Sequence, residues 1–241
     1  MYNYTEAFRE ATAYSLDKFD GPFTHRFLID QRWTMSIRPG LKAASSELQR
    51  YFTSGQHLDA NCFLATAILS RQFIHAGIPH AITVGDVAWQ DGNNYVNATR
   101  ESLMVDIERG FDPRLEEGAP VLDKINAHCW ITLPNAEVVD VTIISARDQI
   151  DDCISRDGSG LLPWIYRKQN NDLRIARHIP ILVGLDFHMK VATGVNHTLR
   201  IQDEFLPFYE HWAGEYRKRP IVTACRVNPY SLNYCRYCRR Y

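Results

Sequence analysis

The sequence predicts an α+β fold in which N-terminal helices, one of them bearing a nucleophilic cysteine, pack on an antiparallel β-sheet. Three observations carry this. Apolar residues recur at helical spacing over residues 4–14 and again over 41–51. The segment DANCFLATAILSRQFIHAGIP closes on Gly77-Ile78-Pro79, the order in which helices stop. Two β-branched and aromatic runs, HCWITL (128–133) and EVVDVTII (137–144), flank Pro134-Asn135-Ala136 as hairpin strands flank a short loop.

Composition narrows the possibilities. The 241 residues, 45% hydrophobic and 23% charged, have ordinary globular usage, which excludes a disordered or collagen-like chain. That length fits one large domain better than two, so residues 1–241 are read as one unit with no assigned oligomeric state. A formal net charge of −1 supplies no basic field for a phosphate backbone, which argues against nucleic-acid binding. No apolar stretch approaches the ~18 residues of a membrane span; the best, 179–185, is short and contains Pro180. Glu6, Arg9 and Glu10 fall where a secretory signal needs an apolar run, and six cysteines are too few for a disulfide scaffold. A cytoplasmic protein with free thiols is the expectation.

In chain order, Tyr4, Ala7, Phe8, Ala11 and Tyr14 mark a first helix behind Thr5 as its cap, stopped by Asp20-Gly21-Pro22. Residues 23–33 lack clean periodicity, and Pro39-Gly40 closes that segment as a turn. Leu41, Ala44, Leu48 and Tyr51 form the face of a second helix, followed by a polar loop over 53–57. Asp59 or Asn61 caps the third helix, whose stripe is Leu64, Ala67, Ile68 and Ile74, and Cys62 lies in its first turn. Residues 80–89 alternate as a strand before the turn Asp91-Gly92-Asn93-Asn94. Residues 97–126, with Gly110, Pro113, Gly118 and Pro120, read as an irregular excursion holding one helical turn. After the hairpin, 179–183 and 190–195 are strand candidates, and 202–217 carries Phe205, Tyr209, Trp212 and Tyr216 at helical spacing.

The chemistry begins at Cys62. A cysteine becomes a nucleophile when its thiolate is stabilised, and a helix N-terminus does that with free N–H groups and the positive end of the dipole. It also needs a base, held in the right tautomer by a third group. A hairpin centred on Pro134 pairs residues equidistant from it, which sets His128 opposite Asp140, within ~5 Å at Cβ. A register slip of two residues leaves that pair diagonal and in reach; a slip of one parts it. Gln56, on the loop before the helix, and the backbone N–H of Cys62 are candidate oxyanion donors, with Asn61 as a competitor for that role. Trp130 shares a face with His128, and Cys129 points the other way as a buried thiol.

The run CFLATAILSRQFIHAGIPHAITVGDV, then HCWITL, then VVDVT resembles the core of the transglutaminase-like superfamily over residues 59–142, and the order Cys, His, Asp is similar to papain-like peptidases. The resemblance implies a Cys-His-Asp triad of Cys62, His128 and Asp140, no cofactor, and attack on an amide of a protein, a peptide or a small molecule through a thioester. Hydrolysis makes this a protease, amidase or deamidase; transfer to an amine makes it a cross-linking enzyme. The alternative is a catalytically inactive binding protein on the same scaffold. Cys225, Cys235 and Cys238 offer three thiols where a closed zinc site wants four, so no metal is assigned. Cys153 has no supporting context, His57, His188 and His197 read as surface residues, and His80 follows Pro79 at a strand start with nothing that forces it to the cleft rim.

Overall fold

The computed structural model describes residues 2–19, 29–51, 62–109, 114–116, 119–121, 126–143, 166–167, 175–184 and 187. Helix α1 (Tyr4–Lys18) starts from Asn3, whose extended backbone leaves its side-chain oxygen free to accept from the N–H groups of Thr5 and Glu6. The cap is therefore Asn3; Thr5 already lies inside the helix. Helix α2 (Arg38–Tyr51) contains Pro39 and Gly40 in its first turn, where N–H groups have no helical partner and a proline costs nothing. Pro39-Gly40 opens a helix and does not close a loop. A Cβ on Gly40 would come within 2.7 Å of Phe73 and 2.9 Å of Ile78, so the glycine lets α2 lie close on the next helix.

That helix, α3 (Cys62–His75), ends as its sequence says it should. Gly77 has φ +66°, its N–H donates to Ile74 O at 3.0 Å, and the N–H of Ile78 donates to Phe73 O at 2.8 Å. This pair of bonds satisfies two carbonyls that the last turn leaves open. Burial is wider than one stripe: Ala65, Ala67, Ile68, Leu69 and Phe73 are all buried, because α3 lies between α2 and the sheet.

The sheet is built from β1 (Ala81–Trp89), β4 (His128–Thr132), β5 (Val138–Asp140), β6 (Tyr166–Arg167) and β7 (Ile175–Val183). Its order is β6-β5-β4-β1-β7 with antiparallel neighbours. The α+β class predicted from the sequence is present. Ile82, Val84, Cys129 and Ile131 join the core under α2 and α3, while Ala81 and Val183 pack with Phe8 and Ala11 of α1. With both faces covered, β1 is buried along nearly its whole length. Among the described residues, no helix is long and apolar enough to cross a membrane.

Three further sequence expectations need correction. Residues 97–126 contain a ten-residue helix, α4 (Arg100–Arg109), and a hairpin of β2 (Arg114–Glu116) and β3 (Ala119–Val121). A reciprocal cap starts α4: Ser102 N–H donates to Thr99 Oγ1 at 3.1 Å, and Thr99 N–H to Ser102 Oγ at 2.9 Å. Serine in place of the usual Glu or Gln hides that box in the sequence. Strand β7 begins at Ile175, before the expected 179, and it carries Pro180 on an edge strand, where proline is tolerated.

The hairpin is centred on Asn135, not Pro134, since Ile131 pairs with Val139 and Thr132 with Val138. Its loop has three residues, the last of which, Ala136, takes the left-handed conformation at φ +63° while Leu133 N–H donates to Glu137 O. That register continues to Trp130 opposite Asp140, so His128 and Asp140 are diagonal. Residues 20–22, 190–195 and 202–217, on which other expectations fall, lie outside the described residues.

Candidate active site

Three side chains reach one place from three elements. Cys62 is the first residue of α3, and its thiol donates a long contact to Ala127 O at 3.8 Å, so the start of the helix meets the start of β4. His128 is the first residue of β4 and Asp140 the last of β5; both are fully buried. Cys62 keeps 6% exposure, whereas Cys129 on the opposite face of β4 keeps none. His128 Nε2 donates to Asp140 Oδ2 at 2.6 Å, so the diagonal placement suffices. With Nε2 carrying the proton, Nδ1 holds a lone pair. Nδ1 has no hydrogen-bond partner among the described residues, and besides Asp140 the group that acts on the ring is the Cys62 sulfur.

Asp140 is held from both sides. Its Oδ1 accepts from the N–H of Thr142 at 3.0 Å, the N–H of Ile143 at 3.1 Å and the Thr142 hydroxyl at 3.4 Å. Its Oδ2 accepts from His128 and, at 3.0 Å, from His178 Nε2. Burial alone would push this carboxyl up, but the two imidazoles hold it well below the usual carboxylate range. For His128, burial disfavours the charged ring, yet the Asp140 carboxylate and the Cys62 sulfur outweigh it and lift the pKa to about 10. Burial lowers the pKa of His178 against the pull of Asp140, so that ring is the neutral donor of the pair.

His178 is the residue that sequence reasoning missed. The strand expected from the sequence starts at 179, just past it, and β7 is not a neighbour of β5 in the sheet. The His178 ring meets Trp130 and bonds Asp140, beside a small cluster in which Ile143 packs against Val87 and Ile175. Only the alternation of a histidine into a buried strand position could have flagged it.

Aromatic rings close the site. Trp130 stacks on His128 with centroids 5.9 Å apart and meets His178 edge-on at 5.0 Å; Tyr95 meets His128 edge-on at 5.3 Å. Trp130 Nε1 donates to Tyr4 Oη at 2.9 Å, and Tyr4 bonds Thr132, which tethers α1 to this face. Tyr95 is placed by Asp86, whose buried carboxylate accepts from the N–H groups of Val87, Val96 and Ala98.

The other candidates divide. Gln56 and Asn61 lie outside the described residues, as do His57, His188, His197, Cys153, Cys225, Cys235 and Cys238. Burial pushes the Cys129 thiol far up, which suits a packing role. His80 is buried where α3 hands over to β1, bonded to Ser70 Oγ at 2.7 Å and to Ile78 O at 2.8 Å. Among the described residues, no group of three His, Cys, Asp or Glu side chains could hold a metal ion. Comparisons with protein-family models, with curated proteins and with solved structures return no match to this chain.

Proposed function

We propose that the chain is a cysteine enzyme of transglutaminase-like architecture that attacks an amide carbonyl of a protein, a peptide or a small amide through Cys62. The observation that carries this reading is the His128 ring, bonded through Nε2 to a buried carboxylate and left with an unpaired Nδ1 beside a helix-start thiol.

The thiol proton passes to Nδ1, and the thiolate attacks the carbonyl carbon. The oxygen of the tetrahedral adduct gains negative charge, which N–H groups at the start of α3 stabilise, with Gln56 or Asn61 as an added donor. His128 then gives the proton to the leaving nitrogen, and the C–N bond breaks to leave a thioester on Cys62. Water or an amine, deprotonated by the same ring, releases the acyl group and restores the thiol. Asp140 stays ionised throughout and fixes the tautomer.

Alkylation tests the reading. Cys62 should label with iodoacetamide at pH 6, well below the range of an ordinary thiol, and His128→Ala should abolish that labelling while the circular dichroism spectrum is kept. Ammonia release from Gln-containing peptides is the matching turnover assay. Labelling of Cys62 only near the ordinary thiol pKa of about 8.5 would return the chain to the class of inactive binding proteins.

A further inference from the structure

We propose that His178 is a fourth member of the relay, a positioning residue that shares Asp140 with His128 and so tempers the basicity of His128. This rests on reading Cys62, His128 and Asp140 as the reacting centre.

The geometry is specific. Both imidazoles place Nε2 on one carboxylate oxygen, at 2.6 Å from His128 and 3.0 Å from His178, while the three donors from Thr142 and Ile143 occupy the other oxygen. His178 turns inward from an edge strand whose preceding residues, Ala176 and Arg177, are exposed. Its ring sits edge-on to Trp130, and its backbone carbonyl accepts the Tyr2 hydroxyl. Gly85 of β1 leaves room for the Trp130 ring that meets His178, since a Cβ there would come within 2.9 Å of Trp130 Cη2 and 2.0 Å of Ile179 O. Structural needs of the carboxylate are already met at Oδ1; the second imidazole falls on the oxygen that serves the base.

Two N–H donors on one oxygen divide its charge. Removing His178 leaves the whole of Oδ2 to His128, which strengthens that bond and raises the proton affinity of the ring. A base that holds its proton too firmly returns it slowly to a leaving group, so the second donor favours turnover. His178 keeps its own Nε2 proton throughout and transfers none. Among the described residues, the titratable groups around this pair include Asp140 from β5, His128 and Cys129 from β4, Cys62 from α3, Tyr2 and Tyr4 at α1, and Tyr95 from the loop after β1.

The test uses the full chain and two reagents. Iodoacetate, being anionic, gains over iodoacetamide at Cys62 only while His128 is protonated, so the pH at which the rate ratio falls reads the His128 proton. His178→Phe, which keeps a ring but lacks the donor, should raise that midpoint by about one pH unit. His178→Gln, which keeps an N–H donor, should stay within a few tenths of the wild type. An unchanged midpoint in a folded His178→Phe chain makes His178 space-filling and overturns the proposal. A wild type with no ratio change at any pH overturns the reading of the centre, and this proposal with it. Nitrogen-15 NMR of histidine-labelled wild-type protein guards against a variant that does not fold: His178 should be neutral with its proton on Nε2 at pH 7, and a proton on Nδ1 refutes the assignment.

Discussion

Replacing Asp140 with Asn should silence Cys62 at low pH. The amide has the shape of the carboxylate, but only one of its two ends accepts hydrogen bonds. If its oxygen stays on the Thr142 and Ile143 side, it satisfies two backbone N–H groups that have no alternative tautomer. The NH₂ then meets the N–H groups of His128 and His178, which had donated at 2.6 and 3.0 Å. The rings can change tautomer and the backbone cannot, so this orientation wins and His128 moves its proton to Nδ1. The lone pair that faced Cys62 is gone.

Loss of a hydrogen bond to a charged partner is worth about 1.5–3 kcal/mol, roughly 10- to 100-fold in the population of imidazolium and so of the thiolate it stabilises. Opening a buried pair should also cost the fold about 3 kcal/mol. The assay is the initial rate of iodoacetamide labelling at pH 6, followed by mass spectrometry of the Cys62 peptide, with near-ultraviolet dichroism as the control for folding. Labelling within twofold of the wild type, in a folded Asp140→Asn chain, would refute the argument that this carboxylate governs the sulfur through the ring.

Three further outcomes follow from the same coordinates. Gly85→Ala places a Cβ 2.0 Å from the backbone oxygen of Ile179, which cannot swing aside, so β1 and β7 must part and urea denaturation should show a loss of at least about 3 kcal/mol. Ala136→Gly relieves a left-handed alanine at φ +63° and should stabilise the chain by about 0.5 kcal/mol net of the added chain entropy, read as a higher urea midpoint at constant slope. The melting temperature should peak between about pH 5 and 7. His128 holds its proton more tightly folded than unfolded, so its contribution is complete below about pH 6.5 and is lost as pH rises toward about 10. Asp140 works in the opposite sense, complete above about pH 4 and lost as acid protonates it. His178, held neutral by burial, adds to the acid loss below about pH 6.5 because the unfolded chain takes up its proton more readily. A flat melting temperature from pH 6 to 10 would show that His128 is uncharged in the folded state.

Helix α3 was legible to its last residue because its exit is a local matter: Gly77 takes the positive φ, and Ile78 follows it to meet Phe73. Alternation along β4 likewise assigned His128 and Trp130 to one face and Cys129 to the other. Register was less accessible. Proline suggested a turn centred on itself, whereas the three-residue loop closes through a left-handed Ala136 and is centred on Asn135. The start of α4 was hidden by a Ser102 standing where a Glu or Gln usually signals the cap.

By itself the sequence determined helices α1 to α3, the hairpin and the three side chains that converge, since each depends on periodicity and turn chemistry within a few residues. Tertiary structure alone decided that β7 lies beside β1, and that His178 reaches the oxygen already bonded to His128. Contacts of that kind join residues far apart in the chain, and they are selected by how the whole core closes; short-range preferences carry no information about them.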